Sequence, residues 1–334
     1  MGNSHIKGFN KQDEGFSFRN GELILRQLIA SFDGKSLPLR VFSNKELDDA
    51  TNGFDESRFI KRDSLWTLYK GSHDGRFISV KLFNTSLIDK AKVLEKIINE
   101  VAIASQMGKH KNILKLLGYC AESELPLLVY EYAENGDLSQ YISRDSELPL
   151  PWESRLRILN EVANAVSFLH YGTSRVVVQG DIKPYNIFLD DKFSAKLGDF
   201  VLSKLIPLGE DHIREDIVAE TYGYMAPESA TGARFSEKSD VFGLGVVILQ
   251  VLTARRVVDL YDPENWIPRS MNEFFSAAHI AGGGSMQQQI EECAELVRRC
   301  FMRNPEERPT MIEVAKSLRM IRRLSKQRSE NCTG

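Results

Sequence analysis

Between Lys81 and Arg308 a series of short polar clusters follows a fixed order, each set against a hydrophobic run, and this series constrains the chain more than any other feature. Ile78-Ser79-Val80-Lys81 puts a lysine at the end of a strand-like alternation, and Glu100 falls in the helix-periodic stretch Lys90 to Met107 that follows. Next comes Gln179-Gly180-Asp181-Ile182-Lys183-Pro184-Tyr185-Asn186, running into the apolar Ile187-Phe188-Leu189. Asp199-Phe200-Val201, Gly223-Tyr224-Met225-Ala226-Pro227-Glu228, Asp240-Val241-Phe242-Gly243 and Glu307-Arg308-Pro309 complete the order. Taken singly, each is a pair of surface charges or a buried polar contact. Taken together they supply the parts that phosphoryl transfer needs. Lys81, paired with Glu100, would sit on phosphates. Asp181 would accept a hydroxyl proton, with Lys183 neutralising the moving group. Asn186 and Asp199 would hold a metal ion, and Arg308 is placed to pair with Glu228.

The ordered set resembles the protein kinase catalytic domain and covers roughly residues 45 to 325. The resemblance implies an α+β, bilobal protein kinase-like fold, with a small β-rich N-lobe over 45–132 and a larger helical C-lobe over 133–325. An N-terminal extension, 1–44, and a disordered tail, 326–334, flank it. Local patterning agrees. Phe59 to Phe83 alternates, with a turn signal at Asp74-Gly75, and Leu127 to Tyr132 reads as a strand ending at Glu134-Asn135-Gly136. Leu156, Leu159, Ala163, Val166 and His170 share one face of a long helix, and Arg175 to Val178 reads as a short strand. Val241 to Leu252 is apolar all round, which marks a helix at the centre of a large lobe. Asp240, at the start of that helix, is expected to cap backbone groups of the Asp181 loop. Phe42 to Phe54 predicts a short helix with Ser43 as N-cap and Glu46 at its third position. Glu22 to Ile29 has apolar residues at helical spacing, which suits a helix docked on the main body.

Ala50-Thr51-Asn52-Gly53-Phe54, Leu116-Leu117-Gly118-Tyr119-Cys120, Leu128-Val129-Tyr130-Glu131-Tyr132 and Trp152 give the chain the look of a plant receptor-like cytoplasmic kinase. The blocks Asn20 to Ile29 and Gly34 to Phe42 resemble something narrower, the plant ZRK family, relatives of the HopZ-sensing pseudokinase. That resemblance implies an adaptor in effector-triggered innate immunity and plant defense. Such an adaptor would link a coiled-coil NLR receptor, as part of a resistosome, to receptor-like cytoplasmic kinase decoys modified by a bacterial effector. The expected location is cytoplasmic, with plasma-membrane association only if the N-terminus is acylated.

The chain departs from an active kinase at several points. Counting back from Leu68-Tyr69-Lys70-Gly71, the three glycine positions of the phosphate-binding loop hold Lys61, Asp63 and Trp66. Glycine there lets backbone approach phosphate. Asp63 would set a negative charge near a triphosphate, and Trp66 would fill the space. ATP and Mg²⁺ are therefore doubtful cofactors. Gln179-Gly180 replace the His-Arg that should precede Asp181, removing the arginine that receives an activation-segment phosphate. That segment, Phe200 to Tyr222, offers only Ser203, Thr221 and Tyr222 as acceptors, and its middle, Gly209 to Glu220, is acidic. The two losses fit each other. The middle is expected to order only against a partner. Val201 stands where glycine would follow Asp-Phe, stiffening that turn. Two other readings stay open: a weak Ser/Thr kinase using Asp181, and a nucleotide-binding switch that transfers nothing.

Composition excludes other classes. A net charge of −3 gives no reason to expect a nucleic-acid partner. Four cysteines without a CxxC pair suit buried or free thiols in a reducing compartment. There is no apolar run long enough for a membrane span. Met1-Gly2-Asn3-Ser4-His5-Ile6 touches the myristoylation pattern through Gly2, with Ile6 where Ser or Thr is wanted, so membrane attachment would rest on N-terminal acylation alone.

Overall fold

The computed structural model describes residues 11–32, 38–85, 89–142, 149–214, 221, 223–255, 257–260 and 284–324. Gly2, the tail 326–334, Tyr222 and residues 215–220 of the activation segment lie outside the described residues. The chain divides into two compact units, Met1–Gly136 and Asp137–Gly334.

The first unit is a six-stranded sheet with helices on its two faces. Its strands are β1 (Arg40–Val41), β2 (Phe59–Arg62), β3 (Trp66–His73), β4 (Arg76–Phe83), β5 (Leu116–Cys120) and β6 (Leu127–Glu131), in the order β1-β5-β6-β4-β3-β2. Asp74 and Gly75, both at positive φ, make the β3–β4 turn that the sequence signals. Residues alternate between the two faces. Ile78, Val80 and Val129 face helix α2 (Asn44–Thr51), forming a core with Phe42, Leu47 and Ala50. Lys81 lies opposite Leu68 and Leu128, one residue out of phase with that core, and so belongs to the other face. Helix α3 (Lys90–Met107), capped by Asp89, contributes buried Val93, Ile97, Val101 and Ala104.

The segment before residue 45 is built into this unit. Helix α1 (Lys11–Phe32) packs on α3. Strand β1 pairs in parallel with β5, Arg40 opposite Gly118. A Cβ at residue 118 would stand 2.0 Å from the Arg40 carbonyl oxygen, so only glycine admits this strand. Ser43 and Glu46 form the expected capping box of α2, the Ser43 side chain accepting from the Glu46 amide at 3.2 Å.

The second unit is mainly helical: α4 (Trp152–Tyr171), α5 (Pro227–Gly232), α6 (Glu237–Thr253), α7 (Val257–Leu260), α8 (Gly284–Cys300) and α9 (Met311–Arg323). Short paired strands frame its polar loops: β7 (Val177–Val178) with β10 (Lys204–Leu205), β8 (Ile187–Leu189) with β9 (Ala195–Leu197), and β11 (Ile213–Arg214) with β12 (Arg234–Phe235). Helix α6 is buried at every position from Ser239 to Val251, as its all-round apolarity requires. Helix α4 lies against α9 and α6, and α8 against α6. The face of α4 read from the sequence, Leu156, Leu159, Ala163, Val166 and His170, is buried throughout. Cys293 and Cys300 are buried, and burial raises both thiols to about 12, which keeps them protonated and unreactive.

One charged pair staples this unit. Arg308, its side chain wholly buried, donates from both terminal nitrogens to Glu228 at 2.7 Å, and also to the carbonyls of Met302 at 2.8 Å and Lys238 at 3.0 Å. Removing one partner of such a pair strands a buried charge. Arg308→Ala is expected to cost about 3–5 kcal/mol in urea unfolding, and Arg308→Lys, which cannot bridge both carboxylate oxygens, is expected to fall in between.

Candidate functional site

In the first unit, the Lys81 ammonium donates to both oxygens of Glu100, at 2.8 and 2.9 Å. Lys81 is 3% exposed and Glu100 not at all. The Tyr130 hydroxyl donates to Glu100 Oε1 at 2.8 Å, so the carboxylate is held from two directions. The remaining side of Lys81 is taken by aromatic rings. Its ammonium lies 4.8 Å from the Trp66 ring centre and 5.2 Å from that of Phe83, within the range of cation–π attraction. Trp66 opposes Phe83 across the β3–β4 ladder and is 3% exposed.

The β2–β3 connection, where a phosphate cradle would stand, is instead a tight turn closed on itself. The Asp63 amide donates to the Trp66 carbonyl at 2.9 Å, and the Asp63 carboxylate accepts from the Ser64 amide and hydroxyl at 2.5 and 3.0 Å. Lys61, 7% exposed, sets its ammonium 6.0 Å from the Trp66 ring. A phosphate cradle needs outward amides, and here Asp63 spends one inside the turn and adds a carboxylate. The three residues therefore do not fit a triphosphate.

In the second unit, Asp181 is 6% exposed and accepts from Lys183 Nζ at 2.7 Å, Asn186 Nδ2 at 2.8 Å and the Thr221 hydroxyl at 2.6 Å. Burial pushes its carboxyl up from the usual range; Lys183 and Thr221 pull the other way, and Asp199 adds to the rise. Lys183 also donates to Thr221 Oγ1 at 2.8 Å. Asn186 is fully buried, and with its amide nitrogen committed to Asp181, its Oδ1 has no hydrogen-bond partner. A buried amide oxygen left over in this way suits a divalent cation, so this half of the site fits Mg²⁺. Asp199 holds φ 58, an unfavourable conformation for a side-chain-bearing residue, next to fully buried Phe200 and to Val201, 4% exposed.

The substitution at residue 179 has a structural answer that sequence reasoning missed. Gln179 is fully buried; its Nε2 donates to the Asp199 carbonyl at 2.9 Å and its Oε1 accepts from the Asp181 amide at 2.6 Å. An amide both donates and accepts, which lets one side chain tie the Asp181 loop to the Asp199 segment. Thr221 is the second miss: it was read only as a modifiable hydroxyl, yet it completes the Asp181–Lys183 web. Ser203, also read as an acceptor, is 3% exposed and donates to the Gln179 carbonyl at 2.8 Å. The activation segment has an anchor of its own as far as Arg214. Ile213 and Arg214 pair with Phe235 and Arg234, and Asp211 lies 3.6 Å from Arg234. This part is ordered by a strand pairing and an ion pair within the chain, without a partner.

All of this hangs on Asp240. Its carboxylate, 2% exposed, accepts from the amides of Gln179 at 2.8 Å and Gly180 at 2.9 Å and contacts His170 Nε2 at 2.8 Å, as expected for a cap at the head of α6. Asp240→Ala is expected to lower the unfolding free energy of the second unit by about 2 kcal/mol or more, because two amides lose a charged acceptor in a dry site; an unchanged denaturation midpoint would refute the role.

Comparison with known proteins agrees with this geometry. The family model for the protein kinase domain matches residues 67–318. The chain is 33% identical to the serine/threonine-protein kinase ZRK1 of Arabidopsis thaliana over 326 residues, covering 90% of this chain and 91% of that protein. It is 33% identical to the non-functional pseudokinase ZRK2, covering 94% and 91%, and 34% identical to the non-functional pseudokinase ZED1, covering 95% and 99%, both of the same plant. These relatives include one described as a kinase and two described as pseudokinases. With the motif order, the two units and near full-length similarity in agreement, the chain belongs to the protein kinase superfamily and, within it, to the ZRK family.

Proposed function

We propose that this chain is a pseudokinase adaptor of plant effector-triggered immunity, joining a coiled-coil NLR receptor to effector-modified receptor-like cytoplasmic kinase decoys. The observation that carries the inactive half of this reading is the Trp66 ring lying on Lys81, within a turn whose three glycine positions hold Lys61, Asp63 and Trp66. The lysine that should meet phosphate meets indole. Family membership supports the inactive half as well, since two of the similar relatives are described as non-functional pseudokinases; the adaptor half rests on the resemblance to the ZRK family. No helix among the described residues is long and apolar enough to cross a membrane, and the proposed location is the cytoplasmic side of the plasma membrane, with Gly2 as acylation site.

A second reading has a specific observation behind it. The Asp181, Lys183, Asn186 and Thr221 web is fully assembled, with the Asn186 oxygen left for Mg²⁺. Those residues suit weak Ser/Thr kinase chemistry, with Asp181 orienting and deprotonating a hydroxyl and Lys183 offsetting charge. Mg-ATP would supply the phosphoryl group. Autophosphorylation compared with that of Lys81→Met separates the two readings.

Two measurements test this reading, one its nucleotide half and one its adaptor half. Millimolar Mg-ATP is expected to move the melting temperature by less than about one degree, since ligand stabilisation requires concentrations well above Kd; a rise of several degrees that Asp199→Ala abolishes would show that the nucleotide site is intact and overturn the nucleotide half. In plant tissue, Glu210→Lys and Asp211→Lys are expected to weaken decoy recognition, while Asp181→Ala leaves immune output intact. Loss of that output in an Asp181→Ala protein that still folds and still binds its partners would show that catalysis matters.

A further inference from the structure

In a kinase the Lys–Glu pair depends on where the glutamate-bearing helix sits, and activation-segment phosphorylation usually sets that position. Here glycine stands at residue 180, where the phosphate-receiving arginine is expected, and the Trp66 ring lies 4.8 Å from the Lys81 ammonium. Even so, α3 holds Glu100 on Lys81 at 2.8 Å. Something other than a phosphate or a nucleotide must fix α3.

The described residues point to α1. This helix turns one stripe inward: Asn20, Ile24 and Ser31 are 0%, 1% and 3% exposed, on one face at helical spacing. Its main packing is on α3. Asn20 is a polar side chain with no access to water, and it is used fully. Its amide nitrogen donates to the carbonyls of Ala121 at 3.1 Å and Ser123 at 2.8 Å, in the connection between β5 and β6, while its oxygen accepts from Arg19 at 3.1 Å. Arg19 reaches on to the Glu124 carbonyl at 3.0 Å. The same short connection grips α3 at its first residue, where Lys90 pairs with Glu124 at 2.7 Å. Residues 121–124 thus hold α1 at its middle and α3 at its start, and α1 lies along α3.

We propose that α1 is a brace acting in cis: it holds α3 with Glu100 on Lys81 in place of both nucleotide and a phosphorylated activation segment, and Asn20 is the positioning residue that locks it. The inference is independent of whether the chain transfers phosphate. It assigns the N-terminal helix an internal role, coupling Lys11–Phe32 to the state of the Lys81–Glu100 pair.

The test uses the full-length chain with Asn20→Asp, which sets a carboxylate against two carbonyls, and the milder Asn20→Ser. Phe18→Ala, on the outward face where Phe18 is 78% exposed, serves as control. Hydrogen exchange of α3 is expected to quicken by about tenfold or more in the Asn20 variants, with α6 unchanged. Labelling of Lys81 by an amine-acylating reagent, read by mass spectrometry, is expected to rise in parallel, because a lysine released from Glu100 becomes reactive. Phe18→Ala is expected to change neither. If Asn20→Asp opens the whole first unit, Asn20→Ser decides. Faster exchange confined to α1, with α3 protection and Lys81 labelling as in the unaltered chain, would overturn the proposal and reduce α1 to a covering helix.

Discussion

A buried carboxylate at the head of α6 organises the second unit. Asp240 accepts from two consecutive amides of the Asp181 loop and contacts His170 on α4. Burying that charge is costly unless its oxygens are partnered, and here the partners come from a packed neighbouring helix and from the loop itself. The loop's geometry follows: Gln179 can then reach Asp199, and Asp181 can gather Lys183, Asn186 and Thr221. Because α6 is buried nearly end to end, the anchor cannot shift without disturbing the core.

The two units differ in how many parts of a phosphoryl-transfer site they hold. In the second, Asp181, Lys183, Asn186 and Thr221 are joined in one hydrogen-bonded web. In the first, the Lys81–Glu100 pair survives, but its surroundings have been rebuilt from apolar and aromatic groups: Trp66, Phe83, the Tyr130 hydroxyl and a turn that bonds to itself. A buried lysine–glutamate pair with complete partners rigidifies a small unit whether or not a nucleotide ever meets it. The pair is kept while the indole of Trp66 lies against its lysine.

Much of this was legible in the sequence, for physical reasons. The motif order fixed the fold because each cluster sits at a fixed point of a hydrophobic pattern, and the all-apolar run of α6, the β3–β4 turn at Asp74-Gly75 and the capping box at Ser43 and Glu46 read directly from local rules. Glu228 with Arg308 and Lys81 with Glu100 were legible as pairs from their places in the ordered set that resembles a protein kinase domain, since each charge alone reads as surface. Less legible were contacts made by residues without a strong pattern. Gln179 looked like a loss, because its value lies in an amide reaching two backbone groups that the sequence does not place. Thr221 looked like a modification site, because a hydroxyl's partner is set by loop geometry. The order of Ile213 and Arg214 was missed because two-residue strands carry no periodicity, and the integration of α1 and β1 rests on Asn20 and Gly118, single residues whose meaning depends on a distant carbonyl.

Gly180 gives the Asp181 loop a particular mechanical character. Its φ is 77, and a Cβ there would stand 2.8 Å from the Leu202 carbonyl oxygen. Any L-residue in that place would be strained, by roughly 1–2 kcal/mol from the backbone alone, and the hydrogen bonds that the loop amides donate to Asp240 would have to hold that strain in check. Such a loop resembles a wound spring, able to relax into a second shape when its restraints are cut. Glycine adopts the same conformation at rest. The restraints around Gly180 therefore hold nothing under tension, and the loop behaves as a strut with one stable form. Glycine at this point supplies neither a receiving group for a phosphate nor stored strain.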